Sequence, residues 1–357
     1  MDNVVLILGA GATIAEYNKK SKKNCPPTDK GFFDSIRNIY PEEVGQINNY
    51  FLNNYGYNIF SENDSLEKIF VSLYSDSFHL KLGDDAFKNF RLLIKVFNKR
   101  IAKTTNNLPV SRKSCLYRII SNYLKRGIPS KSISIITFNY DIQIEKVLSL
   151  LNETKRYNAM KPIFEFPACY RISFDPSLIT NPTSNKTKCF KTVESTDSGI
   201  RILKLHGSLN WYSGHYVPDP SKSAIFNPKR RVWLTKRMTI NPGMHLTGAY
   251  RVKYTLPLVI PPVNQKSGIF HNVIRSMWNI AESDLKKATE ILIFGYSCPE
   301  LDFESINMIQ RSLTQNRKYD QISIIDPDPT LVARYTKLIQ PSKVDYYTSA
   351  KNYLDNL

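Results

Sequence analysis

A chain of 357 residues with 42% hydrophobic content can bury a full core, as one large domain or two. Its 49 basic and 31 acidic residues leave a net charge of +18, a field that attracts nucleic acid or an acidic partner. A mean hydropathy of −0.33 and the lack of any apolar run near the roughly 18–20 residues that span a bilayer argue against a membrane protein.

The chain opens on five apolar residues, Val4 to Leu8, followed at once by Gly9-Ala10-Gly11-Ala12-Thr13. This reads as a strand buried on both faces running into a tight turn and a helix, a βα unit suited to a nucleotide phosphate. The third glycine of the full dinucleotide fingerprint is replaced by Ile14. No basic n-region or cleavage site precedes the strand, so no signal peptide is expected. From there to Ile133 the spacing is helical: Leu66, Ile69, Phe70 and Leu73 form one stripe, and Phe87, Phe90, Leu93, Ile94 and Phe97 another. A helical insertion over 30–130 is the expectation.

Ile133–Thr137 reads as the next parallel strand, leading into Phe138-Asn139-Tyr140-Asp141 and a helix over Ile142 to Leu151. Asn139 and Asp141 suit two roles here. Their oxygens cap helices, and their carboxamide and carboxylate suit a ribose hydroxyl, a bound water or developing positive charge. The stretch 152–256 is irregular and suggests a second lobe around a short strand, Arg201–Leu205, which ends at His206-Gly207-Ser208. An imidazole at a strand end, with a glycine beside it, suits proton transfer near neutral pH. Leu258–Ile260 is a sixth strand candidate, ending at Pro261-Pro262.

Ile291–Gly295 is a further buried strand, after which Gly295 and Ser297 are placed to bind phosphate. Cys298 reads as a small buried hydrophobe, and Glu300 and Asp302 as caps of the next helix. Ile322–Ile325 puts Asp326 at a strand end, where a carboxylate accepts ribose hydroxyls or caps a turn. The five cysteines form no C-x-x-C pair and no histidines have metal-ligand spacing, so neither a zinc site, nor any other metal, nor a disulfide scaffold is expected. The thiols point to the cytoplasm. Basic clusters at Lys19-Lys20, Lys22-Lys23, Lys186 to Lys191 and Lys229-Arg230-Arg231 read as solvated loops.

The ordered series Gly9-Ala10-Gly11, Pro26-Pro27-Thr28, Thr137-Phe138-Asn139-Tyr140-Asp141, Lys204-Leu205-His206-Gly207-Ser208-Leu209-Asn210-Trp211, Pro261-Pro262 and Gly295-Tyr296-Ser297-Cys298-Pro299-Glu300-Leu301-Asp302 resembles the sirtuin-related (SIR2-like) NAD-hydrolysing domains of bacterial anti-phage defence. The resemblance implies an α/β fold with a Rossmann-like parallel sheet and helices on both faces, a single such domain over 1–357. It implies NAD as substrate, cleaved at the nicotinamide–ribose bond to nicotinamide and ADP-ribose. Gly9, Ala10 and Gly11 would contact the phosphates and Asn139 would orient the attacking water. Asp141 would lie near the nicotinamide amide, with His206 as the catalytic histidine. Gly295 and Ser297 would hold the phosphate–ribose region, and Asp326 the adenosine ribose. It implies control by homo-oligomerisation or by a partner such as a HerA-type ATPase or a short Argonaute. Separately, the net charge of +18 makes nucleic acid a candidate partner, reached through the basic surface or through such a partner protein. The four-cysteine zinc module of the sirtuin deacylases is missing, and Phe138 stands where they carry glutamine, which favours water over an acyl-lysine. The alternative is a subunit of a DNA-associated defence complex that senses NAD or ADP-ribose without turnover.

Overall fold

The computed structural model describes residues 2–17, 25–29, 31–60, 65–79, 81–106, 108–154, 162–166, 168–171, 199–214, 232–234, 255–260, 272–316, 318–319, 321–339 and 343–357. The basic clusters named above, Cys189, Pro261-Pro262 and the histidines at 215, 245 and 271 lie outside them. The described strands are β1 (Val4–Leu8), β2 (Ile133–Thr137), β3 (Arg201–Lys204), β4 (Gly207–Gly214), β5 (Val232–Leu234), β6 (Thr255–Val259), β7 (Glu290–Phe294), β8 (Gln321–Ile325) and β9 (Val344–Tyr347). The helices are α1 (Ala10–Ala15), α2 (Phe32–Ile36), α3 (Pro41–Tyr55), α4 (Leu66–Asp76), α5 (Gly83–Asn106), α6 (Cys115–Lys125), α7 (Gln143–Glu153), α8 (Asn272–Leu285), α9 (Phe303–Gln315), α10 (Thr330–Ile339) and α11 (Ala350–Asp355).

The protein is α/β with a Rossmann-like sheet of six parallel strands in the order β3-β2-β1-β7-β8-β9 and helices around it. Every residue of β1 and β2 is buried, as a strand covered on both faces requires, and this is why their sequences are apolar or small without alternation. Val4 stands opposite Ile133 on one side and Glu290 on the other. From β1 the order runs outward through β2 and β3, while β7, β8 and β9 fill the other half. The reversal between β1 and β7 is the switch point, outside whose carboxyl edge ligands bind in open α/β sheets.

The apolar run at Leu258–Ile260 belongs elsewhere. It is the end of β6, an outer strand of a three-stranded antiparallel sheet, order β5-β4-β6. Pro257 has no N–H to donate, which an edge strand tolerates and a central one does not.

Helices α2 to α6 occupy the long interval before β2. Their core is aromatic, with Phe70 at 5.6 Å from Phe90 and 6.0 Å from Phe97, and Phe32 at 5.7 Å from Phe97. Each such buried ring contributes about 1.5–3 kcal/mol. Glu16, which caps the end of α1, ties this layer to the sheet: its carboxylate accepts the N–H groups of Cys115 and Leu116, at 3.1 and 2.6 Å, at the start of α6. Burial pushes the Glu16 carboxyl above its ordinary value, and the two N–H bonds oppose that shift. No helix among the described residues is long and apolar enough to cross a membrane.

Candidate functional site

Five parallel strands deliver the singled-out residues to one edge of the sheet: Gly9 after β1, Asn139 and Asp141 after β2, His206 after β3, Gly295 and Ser297 after β7, and Asp326 after β8. At the switch point the glycines touch each other. A Cβ on Gly9 would stand 2.4 Å from the Gly295 carbonyl oxygen, and one on Gly11 would stand 2.7 Å from the Gly295 Cα. Gly295 itself has φ +61°, which an L side chain adopts only with strain. The Gly9 N–H donates to the Phe294 carbonyl at 3.1 Å and the Gly11 N–H to the Gly295 carbonyl at 2.9 Å. Both N–H groups therefore bind the neighbouring strand end. Of the three turn residues, Ala10 is the exposed one.

Asn139 faces this turn. Its Nδ2 donates to the Gly9 carbonyl at 2.8 Å and to Thr13 Oγ1 at 3.1 Å. The Thr13 hydroxyl in turn donates to Asp141 Oδ2 at 2.8 Å. The other Asp141 oxygen accepts the Gln143 N–H at 2.9 Å, so this carboxylate caps α7 as well as anchoring Thr13. A polarised chain runs from carboxamide to hydroxyl to carboxylate. It fixes which way the Asn139 amide points: both hydrogens are engaged, and Oδ1 is the atom it offers to a ligand.

Beneath the loop lies a buried charged network. Lys204, fully enclosed, donates from Nζ to the Asp141 carbonyl and to Glu145 Oε1 at 3.1 Å. Tyr170 donates to the same Glu145 oxygen at 2.8 Å, and Asn210 Nδ2 donates to the Tyr170 hydroxyl at 3.3 Å. A buried ammonium is tolerated when its charge is paired and hydrogen-bonded, and here Nζ makes two such bonds, one of them to its counter-ion. The network pins the loop that carries Asn139.

His206 sits on the other face of that loop. The ring of Phe138 lies 5.1 Å from the imidazole and that of Tyr140 6.1 Å. Phe138 stacks on Tyr296 at 4.1 Å. His206 Nε2 stands 3.5 Å from Asp302 Oδ2, within ion-pair range when the imidazole is protonated. Asp302 is held from both sides, its Oδ2 accepting the Tyr296 hydroxyl at 3.0 Å and its Oδ1 the Ser305 hydroxyl at 2.6 Å. The turn that presents the histidine is fixed by its neighbours: the Trp278 indole N–H donates to the Leu205 carbonyl at 3.0 Å, and the Ile260 N–H to the His206 carbonyl at 2.8 Å. Gly207, at φ +82°, lets the chain reverse directly into β4.

Gly9, Gly11, Gly295, Asn139 and Asp141 are thus joined by contact or hydrogen bond, and His206 is joined to them through Phe138 and Tyr140. Ser297 and Asp326 are not. The Ser297 residue is exposed and its carbonyl accepts from Arg334 at 2.9 Å. Asp326 is half-buried, and its Oδ1 accepts the Asp328 N–H at 2.9 Å. Burial holds the Asp326 carboxyl above its ordinary value. Cys298 is buried, and burial with the nearby Asp302 charge pushes its thiol up to about 12, the behaviour of a packing residue.

Thr13, Lys204 and Tyr296 are the residues to which sequence reasoning assigned no role. For Asp302 it foresaw the position before α9 but not the histidine. Thr13 and Lys204 act through partners more than fifty residues away, and Tyr296 through the ring of Phe138 and the carboxylate of Asp302, so the local sequence holds no mark of these roles. The one visible signal is a hydroxyl two residues beyond Gly11. Among the described residues no three His, Cys, Asp or Glu side chains gather as a metal-ligand set. No protein-family model matches the chain, and no curated protein matches it either.

Proposed function

We propose that this chain hydrolyses NAD at the nicotinamide–ribose bond, releasing nicotinamide and ADP-ribose. The observation that carries the reading is the locked carboxamide of Asn139 beside the switch point, with both N–H bonds made inward and Oδ1 left as acceptor. Loss of nicotinamide leaves oxocarbenium-like positive charge on the ribose. A preorganised amide oxygen suits the water that attacks it or a ribose hydroxyl next to it. Asp141 serves this step as a positioning residue, acting through Thr13. His206, paired with Asp302, is the group that moves a proton near neutral pH. The stacked rings of Phe138 and Tyr296 keep bulk water from its side of the loop. Ala10, exposed at the turn, borders the phosphates, while Ser297 and Asp326 lie toward the adenosine end.

Unchecked NAD hydrolysis is toxic, so the reading carries with it an effector role in anti-phage defence, with the activity held off by oligomerisation or by a partner protein. A cytoplasmic site of action agrees with four described cysteines that form no disulfide. Purified protein incubated with NAD, alone and with candidate partners, tests the reading through nicotinamide release. Wild type is expected to release it. Asn139→Ala and His206→Ala are expected to lose about 100-fold or more in kcat while still folding. No release by wild type under any of these conditions overturns the hydrolase reading.

One feature of the chain favours a second reading, a subunit that binds NAD without turnover: Ile14 stands where the dinucleotide fingerprint has its third glycine. Calorimetric binding of NAD without nicotinamide release is its signature.

A further inference from the structure

A cleft lies away from the sheet edge. It is an open groove of about 610 Å³ between α6 and the C-terminal helix. Arg112 and Lys113, in the turn before α6, and Arg118 and Lys125, on α6 itself, line it together with Asn122 and Leu354. No acidic side chain lines it. All four cations are exposed, and none makes an ion pair among the described residues. The four groove cations repel one another, and a bound anion relieves that repulsion.

Arg118, Asn122 and Lys125 fall four and seven residues apart on one face of α6, a span of about 10 Å at 1.5 Å per residue. The same length of duplex axis carries roughly three phosphates per strand. All the polar side chains named are hydrogen-bond donors, suited to phosphate oxygens. The open shape fits a polymer laid along the helix better than a small molecule.

We infer that the α6 groove binds the phosphate backbone of double-stranded nucleic acid, without reading its sequence. The net charge of +18 supplies the long-range attraction, and the groove supplies the seat. The inference is independent of the chemistry proposed at the sheet edge.

The test is fluorescence anisotropy of the full chain with a labelled duplex of about 20 base pairs and arbitrary sequence, between about 50 and 200 mM salt. Four phosphate contacts predict a slope of log K against log salt of about −3 to −4. Arg118→Glu with Lys125→Glu is expected to weaken binding more than about tenfold and to flatten the slope by about 2. Arg118→Gln with Lys125→Gln is expected to act in the same direction to a smaller degree. Both side-chain pairs are exposed, so the thermal midpoint should stay at the wild-type value, and it is measured alongside. Binding that is unchanged in both double variants overturns the inference, as does wild-type protein that ignores the duplex. Displacement of the duplex by polyglutamate at equal charge concentration also overturns it, because the groove then takes acidic polypeptide.

Discussion

The loop after β2 has two faces built on different principles. Asn139 and Asp141 point toward α1, where three polar side chains and a backbone carbonyl form a hydrogen-bonded chain. Phe138 and Tyr140 lie against His206, Phe138 edge to face and Tyr140 tilted, and the Asp302 carboxylate stands behind the imidazole. The polar face gains its geometry from directional bonds, so removing one atom leaves its partners unsatisfied in a buried place. The aromatic face gains its geometry from shape, so removing a ring leaves a cavity. Alternation along an extended segment lets four consecutive residues serve both.

The comparison can be broken most severely at Lys204. Lys204→Met removes the ammonium that holds the Asp141 carbonyl and leaves Glu145 buried without its countercharge. A loss of about 3–5 kcal/mol is expected in denaturant unfolding. Glu145→Gln in the same chain should restore much of it, since no lone charge then remains. On the aromatic face, Phe138→Ala empties the space between His206 and Tyr296 and should cost about 3 kcal/mol. If the two faces are separable, the loop's polar bonds persist in a structure of that variant.

A sharper probe is Thr13→Val, which keeps the shape and deletes the hydroxyl between Asn139 and Asp141. The buried Asp141 carboxylate and the half-buried Asn139 amide each lose a partner, for about 2 kcal/mol. Nicotinamide release should fall with it, because the Asn139 amide is then held by the Gly9 carbonyl alone. The smallest effect is expected far from both faces. Hydrogen bonds from Arg311 and Lys286 hold the Glu282 carboxyl down at about 2. A depressed carboxylate stabilises the fold above its ordinary value of 4.5, and that contribution fades as the pH falls from there toward 2. Glu282→Gln should therefore cost about 1 kcal/mol or less at neutral pH, since its partners are largely exposed, and nothing near pH 2. Thermal midpoints across that range check the sign.

Much of the scaffold is legible in the residues themselves. β1 and β2, and β7 and β8 beyond their first residues, are unbroken apolar or small runs because each is covered on both faces, and the stripes at Leu66 to Leu73 and Phe87 to Phe97 fall in α4 and α5. β9 escapes notice because Val344-Asp345-Tyr346-Tyr347 is a half-buried edge strand with no such run. β6 is assigned to the wrong sheet because three apolar residues carry no information about strand direction. At the site, Asn139 and His206 stand out as polar residues at the ends of buried strands. Thr13 does not, because its partner Asp141 is 128 residues away. Nor does Lys204, since a lysine in a strand reads as an exposed residue until its enclosure is seen.

Glu16 joins the helical layer to the sheet edge. Its carboxylate grips the first turn of α6, and Thr13 lies one turn upstream of it on α1. One carboxylate therefore ties the position of α6 to the turn of α1 that carries Thr13, so the helical layer cannot shift along the sheet without disturbing the hydroxyl on which Asn139 rests.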